Sequence, residues 1–122
     1  MKKVLVVDDN VDLAKLIESL LTQKGYRVAV AEGGLEGIQM ADTFSPDLIL
    51  MDLKMPDLTG DLTALRIKSG KMHRNTPIIA LSAFGDPLTR STTQDMAFAD
   101  HITKPFELEE LIRHIESALS HA

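Results

Sequence analysis

Several polar side chains in this 122-residue sequence stand directly after short stretches that read as strands, most of them apolar. Asp8 and Asp9 follow Val4–Val7, Asp52 follows Leu48–Met51, Ser82 follows Pro77–Leu81, and Lys104 follows the stretch from Asp100 to Thr103. Taken singly, each has an ordinary explanation as a helix cap, a turn residue or a solvated cation. Together they define a chemistry. Packed carboxylates repel one another and persist only with a cation among them. Oxygen donors without cysteine or histidine select a hard ion, and two or three carboxylates with open positions suit Mg²⁺, which shares its shell with phosphate oxygens. A carboxylate can also act as a nucleophile and form an aspartyl phosphate. That transfer needs positioning and charge neutralisation, which Mg²⁺ and Lys104 would supply, with Ser82 donating a hydrogen bond to a phosphoryl oxygen.

The order of elements explains how residues so far apart could meet. Val4–Val7, Arg27–Ala31, Leu48–Met51, Pro77–Leu81 and Asp100–Thr103 read as strands, several of them too apolar to face water on either side. A helix is expected after each one. Leu13, Leu16, Ile17, Leu20 and Leu21 precede Gly25, a natural stop; Leu35, Ile38 and Ala41 must end before Pro46. A third helix spans about Asp61 to Ser69, and Asp86-Pro87 opens a fourth. Leu108, Leu111, Ile112 and Ile115 mark the last. Five strand–helix pairs imply an α/β fold with a parallel sheet covered by helices on both faces. Ligands of such sheets sit beyond the carboxyl ends of the strands, where all five polar residues stand.

Composition narrows the class. The chain is 44% hydrophobic and 25% charged, with a formal net charge of −5 and no cysteine. Disulfides and thiolate metal sites are therefore unavailable. The acidic balance and the lack of a basic run disfavour nucleic acid as a direct partner. The short apolar runs can form neither a membrane span nor a signal peptide, so a cytoplasmic protein is expected. One domain over residues 1–122 with no output domain is expected, on the Met1-Lys-Lys start and a last helix that closes the chain.

In these stretches the chain resembles the response-regulator receiver domains of two-component signalling. The resemblance rests on Val4-Leu-Val-Val-Asp-Asp-Asn10, Leu50-Met-Asp-Leu-Lys-Met-Pro56 with Gly60, Pro77-Ile-Ile-Ala-Leu-Ser-Ala83 and Thr103-Lys-Pro-Phe106. It implies a doubly wound, flavodoxin-like five-stranded sheet in the order 2-1-3-4-5 with five helices; a chemotaxis receiver is the type example of that order. It implies that Asp52 is the phosphoacceptor and that Asp8, Asp9, Asp52 and the Lys54 backbone carbonyl hold Mg²⁺. Asp9 and Asp52 would ligate directly and Asp8 through water. Ser82 would be the switch hydroxyl and Lys104 the phosphate-contacting lysine. A sensor histidine kinase or phosphotransfer protein would donate the phosphoryl group and a downstream target protein would read the change. The catalysis would be confined to the domain's own phosphorylation and dephosphorylation, in a monomer or a weak dimer formed on phosphorylation.

Some positions depart from the family pattern. His101 stands where an aromatic residue is usual, and its titration near neutrality could make the switch sensitive to pH. Histidine there, with Lys54, is shared with a sporulation-phosphorelay receiver. Phe84 and Lys54 flank the expected path of water to the acyl phosphate. Phe98 reads as core filling, and Asp57 as a change confined to its loop. With Phe106, Leu88, Arg90 and His101 form the expected readout face. Competing readings are a non-phosphorylated interaction module, a fragment of a larger regulator or hybrid kinase, and a Mg²⁺-dependent aspartyl-phosphate phosphatase. The last needs a second aspartate where Lys54 stands.

Overall fold

The computed structural model describes residues 1–83 and 98–120. Within them, five strands and four helices follow one another: β1 (Lys3–Val7), α1 (Val11–Gln23), β2 (Arg27–Ala31), α2 (Gly34–Phe44), β3 (Leu48–Asp52), α3 (Gly60–Ser69), β4 (Ile78–Ala83), β5 (Asp100–Lys104) and α4 (Leu108–Ser120). Every strand pairing is parallel, and the sheet order is β2-β1-β3-β4-β5, as expected. The helix expected from Asp86, with Phe84, Leu88 and Arg90, lies outside the described residues.

The central strands read as unbroken apolar runs because both faces of the sheet are covered. Val4, Val6, Leu48, Leu50, Ile79 and Leu81 pack with Ile17 and Leu21 of α1 and with Leu111 and Ile115 of α4. Their neighbours in sequence, Leu5, Val7, Ile49, Met51, Ile78 and Ala80, pack on the opposite face with Ala41 of α2, with Ala64 and Ile67 of α3, and with Phe98. Alternate residues thus feed two cores. Phe98 fills the second, as expected of it. Each large side chain fully buried in this way contributes about 1.5–3 kcal/mol, so a few of them offset the cost of holding acids at the sheet edge.

Helix ends follow local chemistry. The cap of α1 is Asn10, whose Oδ1 accepts from the Leu13 N–H at 3.1 Å. Asp8 and Asp9 are thereby left for other work. Gly25, at φ +97°, turns the chain after α1 into β2. At the end of α2 the Ala41 carbonyl accepts from the Ser45 N–H at 3.2 Å and lies 2.6 Å from Nε2 of His73. His73 is buried, and its Nδ1 lies 3.0 Å from the Thr76 hydroxyl. This histidine joins the α3–β4 connection to α2.

β4 begins at Ile78, one residue later than expected. Pro77 has no N–H to give a ladder, although its carbonyl accepts from the Ile49 N–H at 3.0 Å. The strands also reach further at the other end. Ser82 lies inside β4, opposite Thr103, and Lys104 is the last residue of β5, opposite Ala83. Both had been expected just beyond their strands. Among the described residues, no helix is long and apolar enough to cross a membrane.

Candidate functional site

The register of the central strands places two acids side by side. Val7 pairs with Met51, so Asp8 and Asp52 are the next residues out on adjacent strands β1 and β3. Asp8 is fully buried, Asp52 is 6% exposed and Asp9 is exposed. One carboxylate oxygen from each of the three lies within 4.8 Å of the others. Lys104, from the end of β5, reaches across to this cluster. Its Nζ is 3.0 Å from Oδ2 of Asp8 and 3.3 Å from Oδ1 of Asp52. The Lys104–Pro105 peptide that follows is cis. Oδ1 of Asp8 accepts the Asn10 N–H at 2.9 Å, which fixes the turn into α1.

Three negative groups beside one ammonium leave a charge imbalance, and Asp52 registers it. Burial, then the Asp8 charge and a hydrogen bond with Asp9, raise its pKa from 3.8 to about 7; Lys104 acts in the opposite direction. For Lys104, burial lowers the pKa, but the hydrogen bond and charge of Asp8, with those of Asp52, outweigh it and hold it above the ordinary lysine value. An all-oxygen set of three acids with an excess of negative charge fits a small divalent cation. The same set suits Zn²⁺ poorly, since among the described residues no histidine joins it and the chain has no cysteine.

The loop after β3 is tightly made. The Gly60 N–H donates to the Leu53 carbonyl at 2.8 Å, closing the segment between them. A Cβ on Gly60 would lie 2.2 Å from the Asp52 carbonyl oxygen, so only glycine lets α3 start this close to the strand. Met55 is buried in the second core, whereas Lys54 and Pro56 are exposed. Asp57 does more than alter this loop. Its two carboxylate oxygens accept the N–H groups of Gly34 and Leu35, each at 3.0 Å, and so cap α2 from another part of the chain. These bonds, Leu35's first, with one from Leu58, hold the Asp57 carboxyl below the ordinary carboxylate range. The signal in the sequence was indirect: α2 opens on Gly33-Gly34, which offers no capping side chain.

The remaining expected residues divide. Ser82 is buried at the same sheet edge, one position beyond the Asp52–Leu81 pair. His101 is exposed near the start of β5, opposite Ala80, and so lies away from the carboxylates along the strand. Phe106 is half-buried against the first core. It also lines an apolar groove of about 390 Å³ with Asn10, Leu13, Leu16, Leu20 and Lys104, which opens beside the cluster.

Residues 4–116 match the response regulator receiver domain model. The chain belongs to that family. This receiver domain is 34% identical over 119 residues to the response regulator ArlR of Staphylococcus haemolyticus, covering 98% of this chain and 53% of that protein. It spans about half the length of most of the curated relatives it matches. Among solved structures, the chemotaxis protein CheY4 of Vibrio cholerae superposes with a TM-score of 0.91 at 27% identity, covering 97% of this receiver and 98% of that chain. The receiver domain of the sensor histidine kinase PA1611 of Pseudomonas aeruginosa does so at 0.88 and 31% identity, with 98% of both chains covered; that structure has a magnesium ion coordinated in its active-site cleft.

Proposed function

We propose that this receiver domain takes a phosphoryl group onto Asp52 and passes the signal on through a change of shape. The observation that carries the reading is the cluster of Asp8, Asp9 and Asp52 with Lys104 bound to two of its members. The magnesium described in the PA1611 receiver domain supports the cation assignment. Asp8, Asp9, Asp52 and the Lys54 carbonyl would hold Mg²⁺. Once bound, it would favour the ionised Asp52 and offset charge on the phosphoryl oxygens.

The ionised Asp52 carboxylate attacks phosphorus as nucleophile. A new P–O bond forms while the P–N bond to a donor imidazole breaks, and the bonding pair stays on the imidazole nitrogen. Water later cleaves the acyl phosphate and returns the carboxylate with inorganic phosphate. Lys104 is placed to trade its carboxylate partner for a phosphoryl oxygen, and the Ser82 hydroxyl to donate to another. Both contacts exist only in the phosphorylated state, which is what biases a two-state switch. Movement at Ser82 and Lys104 would be carried by β4 and β5 to the face bearing His101 and Phe106.

The groove along α1 beside Lys104 gives the donor a place to dock, and its apolar lining suits the side of a partner helix from a histidine kinase or phosphotransfer protein. A downstream target protein would read the changed face.

Incubation with acetyl phosphate tests the assignment. Intact mass should rise by one phosphoryl group in the presence of Mg²⁺, and not in Asp52→Asn or with chelator. An adduct that forms without Mg²⁺, or survives in the variant, contradicts it.

A further inference from the structure

The peptide after Leu53 is fixed at one point by the core and at another by a side chain from the exposed tip of its own loop. At the neck, the Gly60 N–H bonds the Leu53 carbonyl and the Leu53 N–H bonds the Leu81 carbonyl at 3.1 Å. In the middle, Met55 is sunk in the second core. Beyond it, Pro56 and Asp57 are exposed, and the bonds from the Gly34 and Leu35 N–H groups to Asp57 tie the tip down. The approach is close enough that a Cβ on Gly33 would lie 3.0 Å from both Asp57 oxygens, and one on Gly34 would lie 2.4 Å from Oγ1 of Thr63 and 2.8 Å from Cβ of Leu58. Two consecutive glycines therefore admit the loop to the start of α2.

We propose that Asp57 is a positioning residue of the phosphoacceptor site, tying the loop tip to the start of α2 so that the Lys54 carbonyl is held in place for the cation. This rests on the reading that the Lys54 carbonyl is one of the cation's ligands. A helix cap alone would be supplied as well by a serine at Gly33, the residue that precedes α2 and has extended backbone. What Asp57 adds is the link between α2 and the loop. An exposed tip without that link samples more conformations, and the carbonyl must be ordered again each time a cation binds.

The test separates the cap from the link. Mg²⁺ affinity is measured by calorimetric titration of folded protein, alongside the Mg²⁺ dependence of phosphorylation by acetyl phosphate and the urea midpoint of the metal-free protein. Asp57→Ala should weaken Mg²⁺ binding roughly tenfold, the lower end of what loss of a supporting partner costs a metal site. The maximal phosphorylation rate at saturating Mg²⁺ should stay near that of the wild type. Asp57→Asn, which keeps one acceptor oxygen, should fall between. Adding Gly33→Ser to Asp57→Ala should restore the urea midpoint and leave the Mg²⁺ affinity weak. Unchanged affinity in Asp57→Ala, or affinity restored in the double variant, overturns the proposal while the site reading stands. A wild-type protein that binds no Mg²⁺ overturns both.

Discussion

Asp52 is subject to two opposing demands. As the proposed nucleophile it would have to be ionised, yet burial and the neighbouring Asp8 and Asp9 raise its pKa to about 7 in the absence of a cation. The folded state therefore binds the Asp52 proton more tightly than the unfolded chain, whose carboxylate titrates near 3.8. This contribution to stability is present in full below about pH 4 and is lost as pH rises to about 7. It is worth a few kcal/mol at most, since a tenfold change in proton affinity corresponds to about 1.4 kcal/mol. Urea unfolding in chelator should show wild-type stability falling from pH 5 to pH 8 relative to Asp52→Asn. Parallel profiles for the two proteins would contradict the electrostatic account. Asp8, Asp9, Asp52 and Ser82 were legible as a set because each stands at the end of an apolar run, and Lys104 joined them at the end of the short stretch read as the fifth strand. Asp57 and His73 were not. Their partners, Gly34 and Leu35 for one and Ala41 for the other, lie 22 to 32 positions away and only the fold brings them together.

At the scale of elements, the cluster depends on how closely α3 starts behind β3. Gly60→Ala would drive a Cβ against the Asp52 carbonyl, a backbone atom that cannot step aside. The variant should lose about 3 kcal/mol of stability by urea unfolding, at the upper end for overpacking, and should phosphorylate more slowly because the nucleophile's own peptide is displaced. Wild-type stability and rate in that variant would show that the contact is soft. The strands themselves were readable, since runs buried on both faces leave an unbroken apolar signature. Their ends were less so. Ser82 and Lys104 belong to β4 and β5, because ladder bonds continue past the last apolar residue, and Pro77 is excluded from β4 by its missing N–H. On α1, Leu16 is 55% exposed beside the groove. Leu16→Glu should slow phosphotransfer from a protein donor about tenfold, as loss of a central contact in an interface does, while leaving the rate with acetyl phosphate unchanged. Equal rates with the protein donor would remove the groove as a docking face.

For the molecule as a whole, the two cores do the holding and the carboxyl edge of the sheet carries the proposed chemistry. The described helices divide between the faces, α1 and α4 on one and α2 and α3 on the other, so a change at the edge can shift one layer without unpacking the second. Mg²⁺ would add to stability by mass action, about 2.7 kcal/mol at a hundredfold excess over its dissociation constant. Thermal unfolding with and without Mg²⁺ should show that gain in the wild type and its loss in Asp9→Asn; an equal gain in both would place the cation elsewhere. The central claim is that one particular carboxylate carries the phosphoryl group. Borohydride reduces an acyl phosphate to the corresponding alcohol, which marks an aspartyl phosphate as homoserine in a peptide digest. After phosphorylation in Mg²⁺, the account predicts homoserine at position 52 alone. Homoserine at Asp8 or Asp9, or a phosphorylated protein with none at position 52, would contradict it.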